Sequence, residues 1–423
     1  MKPSSLAGHA IELIEILQND SRPADHLIDT FFRRRRYLGS HDRRELAESV
    51  YGILRHLRRL QTFISRVNPD CIAHPAWLFA AYKLHLEKIP PQALQAYALP
   101  ISSPEIRGLA ASDFDFGLAN LGLRTSFPDW LVDKLKKQMG ESETERLLEA
   151  MNQPPPLTIR VNTLKATRET CLQELRKRGC DCAPTQISPD GILLKKRANL
   201  FGLDLFRDGW FDLQDEGSQI ISLLLDPKPN WRIADVCAGG GGKTLHLAAL
   251  MKNRGEIRAL DIVPQRLENL RKRGRRCGIH NIRAQLLHSD EIPQTLPGKM
   301  EALLIDAPCT GTGVLRRNPD AKWKISEAQV REMAAKQKQI MRHYAPLLKP
   351  RGRLVYATCS VLTDENEEVV QSFLAEHADF RPGDAAAILQ RHQLAPLANS
   401  NTIHLFPHQH NTDGFFAAVL ERN

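Results

Sequence analysis

The order of apolar runs in the C-terminal half of the chain constrains the fold more than any other feature. From about residue 216 onward, short strand-like runs alternate with longer segments of helical periodicity. The predicted strands cover residues 232–237, 256–262, 284–288, 302–306 and 353–358, and the predicted helices cover residues 244–252, 264–277, 326–348 and 364–376. Repeated strand–helix units predict an α/β fold with a doubly wound, mostly parallel sheet. Residues 402–406 and 415–420 would complete the sheet with an antiparallel edge.

The first 215 residues lack this alternation and predict two further domains. Residues 1–125 carry helical periodicity, clearest over 7–17 and 42–60, which predicts an all-α domain. The next region begins with a helical segment that ends at three consecutive prolines. Predicted strands at 157–162 and 191–194 and a predicted helix over 167–178 follow, and this mixture is typical of a small α+β module. The predicted domains are therefore 1–125, 126–215 and 216–423.

Composition and cysteine usage exclude several classes of protein. Hydrophobic residues make up 42% of the 423 residues and charged residues 25%, a balance typical of globular chains. The longest apolar runs, such as 302–305, are far shorter than the roughly 20 residues of a membrane helix, and no apolar signal region follows Met1. The eight cysteines form no CxxC pair. We therefore expect a cytoplasmic monomer with free thiols, no membrane partner and no metal site.

The charge of the chain permits a nucleic-acid partner without requiring one. Lysine and arginine number 58 against 49 acidic residues, a formal net charge of +9. Nine arginines are concentrated within residues 33–59, at positions Arg33, Arg34, Arg35, Arg36, Arg43, Arg44, Arg55, Arg58 and Arg59. They predict either a phosphate-binding surface or an ordinary solvated helix face, and both interpretations stay open at this point.

A glycine-rich loop follows the first predicted strand of the sheet. Its residues are Cys237, Ala238, Gly239, Gly240, Gly241, Gly242 and Lys243. Ligands of open α/β sheets bind beyond the carboxyl ends of the strands, and glycine lets the backbone approach them closely. Asp261 ends the second strand and could accept hydrogen bonds from ribose hydroxyls, while Asp290 follows the third and could meet an adenine amino group. These positions predict a nucleoside site; a glycine turn with ordinary surface acids is the alternative.

The same loop also resembles the end of a phosphate-binding loop of nucleoside triphosphatases. Gly242-Lys243-Thr244 matches the GK[ST] ending, and Asp306 follows an apolar strand as the magnesium-binding aspartate does in those enzymes. Position 237, where that motif requires its first glycine, holds a cysteine. A nucleoside triphosphatase is therefore kept as an alternative function.

Two cysteines stand at the ends of neighbouring predicted strands. Cys309 follows the fourth strand in Asp306-Ala307-Pro308-Cys309, and Cys359 follows the fifth. Carboxyl ends of parallel strands meet at one edge of the sheet, so both thiols should lie beside the glycine loop. A redox disulfide is disfavoured in a reducing compartment. The chemistry that uses such a set is methylation of a pyrimidine at C5.

The C5 carbon of a pyrimidine is too weak a nucleophile to attack a methylsulfonium unaided. A thiolate that adds to C6 pushes electron density to C5, which then takes the methyl group. Asp306 could hydrogen-bond the N3 and N4 edge of cytosine, and a basic site containing Lys243 would favour the thiolate. The target base must be flipped out or single-stranded for the thiol to reach its face.

These motifs resemble the Sun-type (Nol/Nop/Sun) family of RNA cytosine-C5 methyltransferases, which use S-adenosylmethionine and have a Rossmann-like fold. The resemblance implies that Cys359 is the nucleophile and that Cys309 assists breakdown of the covalent adduct. It also implies that residues 237–243 form the cofactor loop, usually CAAPGGK, in which Gly239 and Gly240 here replace alanine and proline. Asp261, Asp290 and Asp306 fall where the family has its other cofactor contacts.

Other segments of the chain resemble the family's RNA-binding parts. Residues 160–162, 214–216 and 317–323 resemble segments that shape the RNA side of the site. The amino-terminal helices of residues 1–125, especially residues 42–55, resemble the NusB-like RNA-binding domain of the bacterial 16S ribosomal RNA enzymes, which implies a small-subunit ribosomal RNA substrate. A tRNA substrate remains an alternative. A non-catalytic RNA-binding scaffold is another, although binding alone requires neither cysteine.

Overall fold

The computed structural model describes residues 1–196, 198–287 and 296–423. The chain divides into two compact units, of which the first comprises Met1–Pro154 and Leu315–Ile325 and the second Pro155–Val314 and Ser326–Asn423. The division of the sequence into domains 1–125, 126–215 and 216–423 stays a prediction. Within the described ranges, no helix combines the length and apolar character needed to cross a membrane.

The first unit is built from helices that pack their apolar faces together. Its α-helices are Pro3–Asn19, Ala24–Arg34, Ser40–Arg55, Leu57–Ser65, Pro75–Ala81, Pro91–Leu94, Ser103–Ala111, Leu121–Thr125, Asp129–Met139, Glu141–Met151 and Ala321–Lys324. Shorter turns are the 3-10 segments Pro69–Cys71, Gln95–Tyr97 and Phe116–Leu118 and the π-helical segment Tyr82–Leu86. One face of the first helix, including Leu6, Ala10 and Leu13, is buried in a shared core. The helix predicted over 42–60 is in fact two helices that meet at His56, a break that periodicity misses because apolar spacing continues across it.

The second unit contains all the strands described. In chain order they are β1 Leu157–Val161, β2 Cys182–Pro184, β3 Gly191–Leu194, β4 Phe211–Leu213, β5 Arg232–Val236, β6 Glu256–Asp261, β7 Ile282–Leu286, β8 Met300–Asp306, β9 Leu348–Thr358, β10 Phe380–Pro382, β11 Ala398–Asn399, β12 Thr402–Leu405 and β13 Phe415–Arg422. The first four strands form an antiparallel sheet in the order β2-β3-β1-β4. The helix Arg168–Lys177 packs against this sheet through Cys171, Leu172 and Leu175.

The remaining strands form one mixed sheet with the order β7-β6-β5-β8-β9-β13-β12-β11. The five strands from β7 to β9 are parallel, and β13, β12 and β11 continue antiparallel, with β10 also paired to β13. This confirms the predicted doubly wound α/β sheet with an antiparallel edge. Val236 lies opposite Leu260 of β6 and Ile305 of β8, so the loops after these three strands emerge at the same edge.

Helices cover both faces of the mixed sheet. The α-helices of the second unit are Arg168–Lys177, Asp204–Arg207, Glu216–Leu225, Gly242–Leu250, Pro264–Cys277, Glu327–Tyr344, Glu367–Glu376, Ala385–Gln390 and Pro407–His410, with 3-10 segments Leu200–Gly202, Thr312–Val314, Ala345–Leu347, Thr363–Glu365 and Ala395–Leu397. Alternate β8 residues enter two cores: Leu303 packs with helix Glu327–Tyr344, and Leu304 with helix Glu216–Leu225. Burial on both faces explains why the strands read as continuous apolar runs.

Several element boundaries follow from local signals in the sequence. Pro264 begins the helix Pro264–Cys277 and Gly278, with a φ of 70°, ends it, so the prediction over 264–277 is confirmed. Ser326 caps the helix Glu327–Tyr344 through a capping box with Gln329. That helix ends before the predicted position 348, where β9 already begins. The predicted strand 284–288 instead begins at Ile282 as β7, and residue 288 lies outside the described residues.

Candidate active site

The glycine loop joins β5 to the helix Gly242–Leu250 through a sharp reversal of the backbone. Cys237, Gly239 and Gly241 all have positive φ, at 63°, 57° and 84°. A Cβ at Gly241 would lie 2.6 Å from Cγ of Leu270, so both backbone conformation and space require glycine there. The loop places residues 237–243 at the carboxyl edge of the parallel sheet, as the sequence predicts.

Asp261 fixes the shape of this loop from the end of β6. Its two carboxylate oxygens accept hydrogen bonds from the backbone N–H groups of Gly239 and Val263, each at 2.8 Å. Each carboxylate oxygen can accept a further hydrogen bond, so a contact of Asp261 with ribose stays a prediction. Asp290, the other predicted nucleoside contact, lies outside the described residues.

Two arginines donate hydrogen bonds to carbonyl groups of the glycine loop. Arg160 of β1 donates to the carbonyl oxygen of Gly242 at 2.6 Å, and Arg273 donates to that of Gly240 at 2.5 Å. Arg273 also pairs with Asp212 of β4 at 2.8 Å. The resemblance assigned Arg160 to the RNA side, but the structure buries it beneath the loop. The roles of Arg273 and Asp212 were not predicted, because residues 61 positions apart give no sequence signal of contact.

Lys243 and Asp306 form an ion pair beside the loop. The Lys243 Nζ atom donates to Oδ2 of Asp306 at 2.6 Å, and it lies 5.5 Å from the ring centre of Phe415. Burial alone would lower the pKa of Lys243, but the Asp306 carboxylate outweighs burial and the pKa is raised. Lys243 therefore stays protonated and acts as a fixed positive charge at the edge of the sheet.

The structure brings the two predicted catalytic cysteines into contact. Cys309 follows β8 and Cys359 follows β9, and their Sγ atoms are 3.3 Å apart. Both cysteines are free thiols and partly accessible. The hydrogen bond with Cys359, followed by burial, raises the pKa of the Cys309 thiol well above its usual value. Cys309 therefore keeps its proton and can donate it toward the sulfur of Cys359.

A buried glutamate that the sequence analysis missed ties the two cysteine loops together. One oxygen of Glu365 accepts from the backbone N–H of Thr310 at 2.8 Å, and the other accepts from the hydroxyls of Thr310 and Ser360, each at 2.5 Å. Gln337 donates to the same carboxylate at 3.1 Å and to the carbonyl oxygen of Pro308 at 2.9 Å. Thr310 follows Cys309 and Ser360 follows Cys359, so Glu365 sets the separation of the two thiols.

Close backbone packing supports the same arrangement. The N–H of Gly313 donates to the carbonyl oxygen of Cys359 at 2.8 Å, and the N–H of Gly414 donates to that of Gly313 at 2.8 Å. A Cβ at Gly313 would lie 2.1 Å from the Gly414 carbonyl oxygen. Glycine at position 313 is therefore required by close packing against Gly414 and the Cys359 carbonyl group.

Asp235 is buried at the end of β5, and Cys237 is the partly accessible first residue of the glycine loop. Burial, and then the nearby carboxylates, raises the pKa of Cys237 to about 12, so this thiol is a poor nucleophile. Asp235 accepts a hydrogen bond from the Thr244 hydroxyl at 2.6 Å, and burial raises its pKa to about 7. Both residues support the start of the helix Gly242–Leu250.

Together these groups form one site. A glycine loop with an open face, a lysine–carboxylate pair and two touching thiols stand at one edge of the sheet. The loop suits close approach of a nucleoside cofactor, and a thiol pair suits addition to an electrophilic ring carbon followed by elimination.

Family models match most of the second half of the chain and part of the first. The model described as 16S rRNA methyltransferase RsmB/F matches residues 222–421. The ferredoxin-like domain of RsmF/B-like methyltransferases matches residues 127–200.

Similar proteins extend along nearly the whole chain. The probable ribosomal RNA small subunit methyltransferase B of Bacillus subtilis (strain 168) is 29% identical over 448 aligned residues, covering 100% of both chains. The ribosomal RNA small subunit methyltransferase B of Serratia proteamaculans (strain 568) is 33% identical over 402 residues, 90% of each chain. The crystal structure of PH0851 is similar with a TM-score of 0.81 and 26% identity, covering 100% of this chain and 99% of the other.

Proposed function

Since the chain belongs to the RsmB/F family of 16S rRNA methyltransferases, we propose that it transfers a methyl group from S-adenosylmethionine to C5 of a cytidine in 16S ribosomal RNA. The chain is an RNA methyltransferase, as the sequence predicts, and this sets aside the triphosphatase and the non-catalytic scaffold. The contact between Cys309 and Cys359 is the observation that carries the proposed chemistry.

The residues of the glycine loop fit S-adenosylmethionine. Among the described residues, a Cβ built at Gly239 would meet a single atom within 4 Å, the carbonyl oxygen of Cys237 at 3.9 Å, so this face of the loop has room for a ligand. Residues 237–243 would hold the cofactor, with Asp261, Asp290 and Asp306 as further contacts. When bound, S-adenosylmethionine supplies an electrophilic methyl group.

Cys359 is the proposed nucleophile. Its sulfur forms a bond to C6 of the cytosine, and the C5–C6 π electrons move to C5, which gains the methyl group. The proton on C5 then leaves to a base, the C5–C6 double bond re-forms, and the C6–S bond breaks. The proton that the Cys359 thiol loses to solvent before it attacks C6 is replaced when the sulfur leaves, so the thiol is restored at the end of this sequence.

Asp306 has a proposed role in orienting the base, and Cys309 has one in release of the adduct. Asp306, fixed by Lys243, accepts a hydrogen bond from the N4 amino group and orients the ring. Cys309 lies beside the C6–S bond, because its sulfur contacts that of Cys359, and its retained proton can be donated to the leaving sulfur. A separate thiol for release explains why the site contains two cysteines.

A labelled-methyl experiment tests this function. S-adenosylmethionine carrying a labelled methyl group is incubated with the protein and either 16S ribosomal RNA, small subunits or bulk tRNA, and the nucleosides are analysed. We expect labelled 5-methylcytidine in the 16S RNA and none after Cys359→Ala, while that variant still binds S-adenosylmethionine. Label chiefly in tRNA would overturn the substrate, and full activity of Cys359→Ala would overturn the nucleophile.

A further inference from the structure

The first unit contains a pocket that is separate from the candidate active site. Its volume is about 400 Å³, which lies within the range of small-ligand pockets. Its lining includes His56, Arg59, Phe116, Arg124, Glu149 and Asn152. Cationic and polar side chains dominate this surface, and the only carboxylate among these six residues belongs to the exposed Glu149.

Arg59 is the most informative residue of the pocket. Within the described part of the chain it makes no ion pair and no side-chain hydrogen bond, and its Nε atom is buried. Its guanidinium lies 4.5 Å from the ring centre of Phe116, which holds it in place. The preceding residue, Arg58, instead pairs with Asp129 at 2.8 Å. Arg59 is half-buried, and its guanidinium lines the pocket without a carboxylate partner among the described residues, so it is available to an anionic ligand.

The groups around Arg59 leave several polar atoms unused. Arg124 pairs with Glu145 at 2.7 Å, but its Nε atom and Nδ1 of His56 are buried without a hydrogen-bond partner among the described residues. The buried Lys322 donates to the carbonyl oxygen of Arg55 at 2.6 Å and to Oδ1 of Asn152 at 3.2 Å. The pocket therefore combines unused polar atoms with two guanidinium groups, of which Arg124 already has a carboxylate partner and Arg59 has none within the described residues.

The pKa values of the basic groups in and beside the pocket are lowered. Burial, and then the charges of Lys322, Arg59 and Arg55, lowers the pKa of His56 to about 3. Burial lowers the pKa of Arg59, and burial followed by the charge of Arg55 lowers the pKa of Lys322 well below its usual value. Each shift disfavours a positive charge that an anion in the pocket would stabilise.

We propose that this pocket binds a phosphate group of the RNA backbone through the guanidinium groups of Arg59 and Arg124. Guanidinium groups match phosphate oxygens with paired N–H donors, and the Phe116 ring orients one of them in advance. The proposal rests on the proposed function, because it takes RNA as the source of the phosphate. It places a contact with the substrate RNA in the first unit, on residues that the catalytic steps do not use.

Arg59→Gln tests the pocket, with Arg107→Gln as the matched control. Arg107 is an exposed arginine of the helix Ser103–Ala111 in the same unit, and its replacement removes the same charge. Binding of a 16S ribosomal RNA transcript is measured without S-adenosylmethionine at several salt concentrations. We expect Arg59→Gln to weaken binding about tenfold and to reduce the slope of log affinity against log salt by about one, and Arg107→Gln to change affinity less than about twofold.

Thermal unfolding supplies a readout that a purely structural role would not give. Without ligand, Arg59→Gln should unfold at the same or a higher temperature than the wild type, because a half-buried cation without an ion-pair partner among the described residues is removed. Inorganic phosphate at millimolar concentration should raise the unfolding temperature of the wild type but not of Arg59→Gln. A lower unfolding temperature for Arg59→Gln together with unchanged RNA affinity would overturn the proposal. Arg59→Lys, which keeps the charge, replaces Arg59→Gln if the latter does not fold, and an intermediate affinity supports the proposal.

Together, these measurements distinguish RNA from free phosphate as the occupant of the pocket. They also distinguish a failure of the phosphate pocket from a failure of the proposed function. Phosphate could raise the unfolding temperature of the wild type but not of Arg59→Gln, while Arg59→Gln and Arg107→Gln bind RNA equally well. That result would overturn RNA as the occupant and indicate free phosphate. Equal RNA affinities and no phosphate effect would overturn the site altogether. If Arg59-dependent RNA binding persists while 16S RNA is not methylated, the proposed function fails and the phosphate pocket stands.

Discussion

At the residue scale, the two thiols show what a sequence can and cannot specify. The sequence places Cys309 and Cys359 directly after two predicted parallel strands, which predicts that they share an edge. Their contact at 3.3 Å depends on the pairing of Asp306 with Ala357 and on the side chain of Glu365. Neither the register nor the glutamate could be predicted, because Glu365 and Thr310 are 55 positions apart.

Glu365→Gln should uncouple the two thiols. In the wild type, the backbone N–H of Thr310 and the hydroxyl of Ser360 donate to the Glu365 carboxylate. The amide of the variant turns an N–H group toward such donors and leaves buried groups unsatisfied, at a cost of about 1–3 kcal/mol in the free energy of unfolding. We expect methyl transfer to fall at least tenfold, affinity for S-adenosylmethionine to change less than twofold, and covalent protein–RNA adduct to accumulate. Steady-state rates, cofactor titration and denaturing gels measure the three effects.

Glu368→Gln is the control for that variant, since Glu368 is exposed at the start of the next helix. It should match the wild type in all three measurements. Wild-type methyl transfer by Glu365→Gln would show that Glu365 does not set the positions of the thiols.

Asp235 gives a prediction about pH. Its pKa is about 7 in the folded protein against a usual value of 3.8, so the folded state holds this proton more tightly than the unfolded chain. The contribution of Asp235 to stability is therefore full below about pH 4 and is lost as the pH rises through about 7. At about 1.4 kcal/mol for each pH unit between the two values, the loss is on the order of 4 kcal/mol.

Asp235→Asn removes this titration, and the pKa values of Cys237 and Lys243, on which the Asp235 charge also acts, lie above the pH range of the test. Urea unfolding of both proteins between pH 4 and pH 8 measures the difference in free energy of unfolding, in which shared titrations cancel. We expect the wild type to lose stability relative to Asp235→Asn as the pH rises. Parallel profiles would contradict the raised pKa.

At the element scale, the glycine loop depends on close packing against the helix Pro264–Cys277. Gly241 has a φ of 84° and no room for a Cβ beside Leu270, whereas Gly298 has a φ of 67° and no atom of the described residues within 4 Å of a Cβ position. Alanine at either position suffers the strain of positive φ, about 1 kcal/mol, and only Gly241→Ala adds a steric clash.

Gly241→Ala should therefore lower the free energy of unfolding by about 3 kcal/mol and Gly298→Ala by about 1 kcal/mol. Denaturant unfolding compares them, and cofactor titration should show weakened S-adenosylmethionine binding for Gly241→Ala alone. Equal losses for the two variants would show that Leu270 yields to the added methyl group.

Local signals within each element explain which helices and strands could be predicted from the sequence. The helix Pro264–Cys277 carries a proline at its start, a glycine at its end and clear periodicity, so both of its boundaries were predicted. The helix Glu216–Leu225 is buried on every side and has no polar face to give a periodic signal, and it was missed. The strands β2, β4 and β10 have three residues each, too few for alternation to be recognised.

At the scale of the whole molecule, the order of elements was predictable and their long-range contacts were not. The alternation after residue 216 fixes the parallel sheet and therefore the edge where the site lies. The two arginines that donate to the glycine loop come from β1 and from the helix Pro264–Cys277, which are about 100 residues apart in the chain. Such contacts depend on how the small sheet packs within the second unit, which local patterns do not encode.

The adduct formed by a Cys309→Ala variant tests the central claim most directly. The variant is incubated with 16S ribosomal RNA and S-adenosylmethionine, separated on a denaturing gel, and the peptide attached to RNA is identified by mass spectrometry. We predict a denaturation-resistant protein–RNA species joined through Cys359, and none when Cys359→Ala is added to the same variant. A species joined through another residue, or wild-type turnover by Cys309→Ala with no adduct, would contradict the assignment of the two thiols.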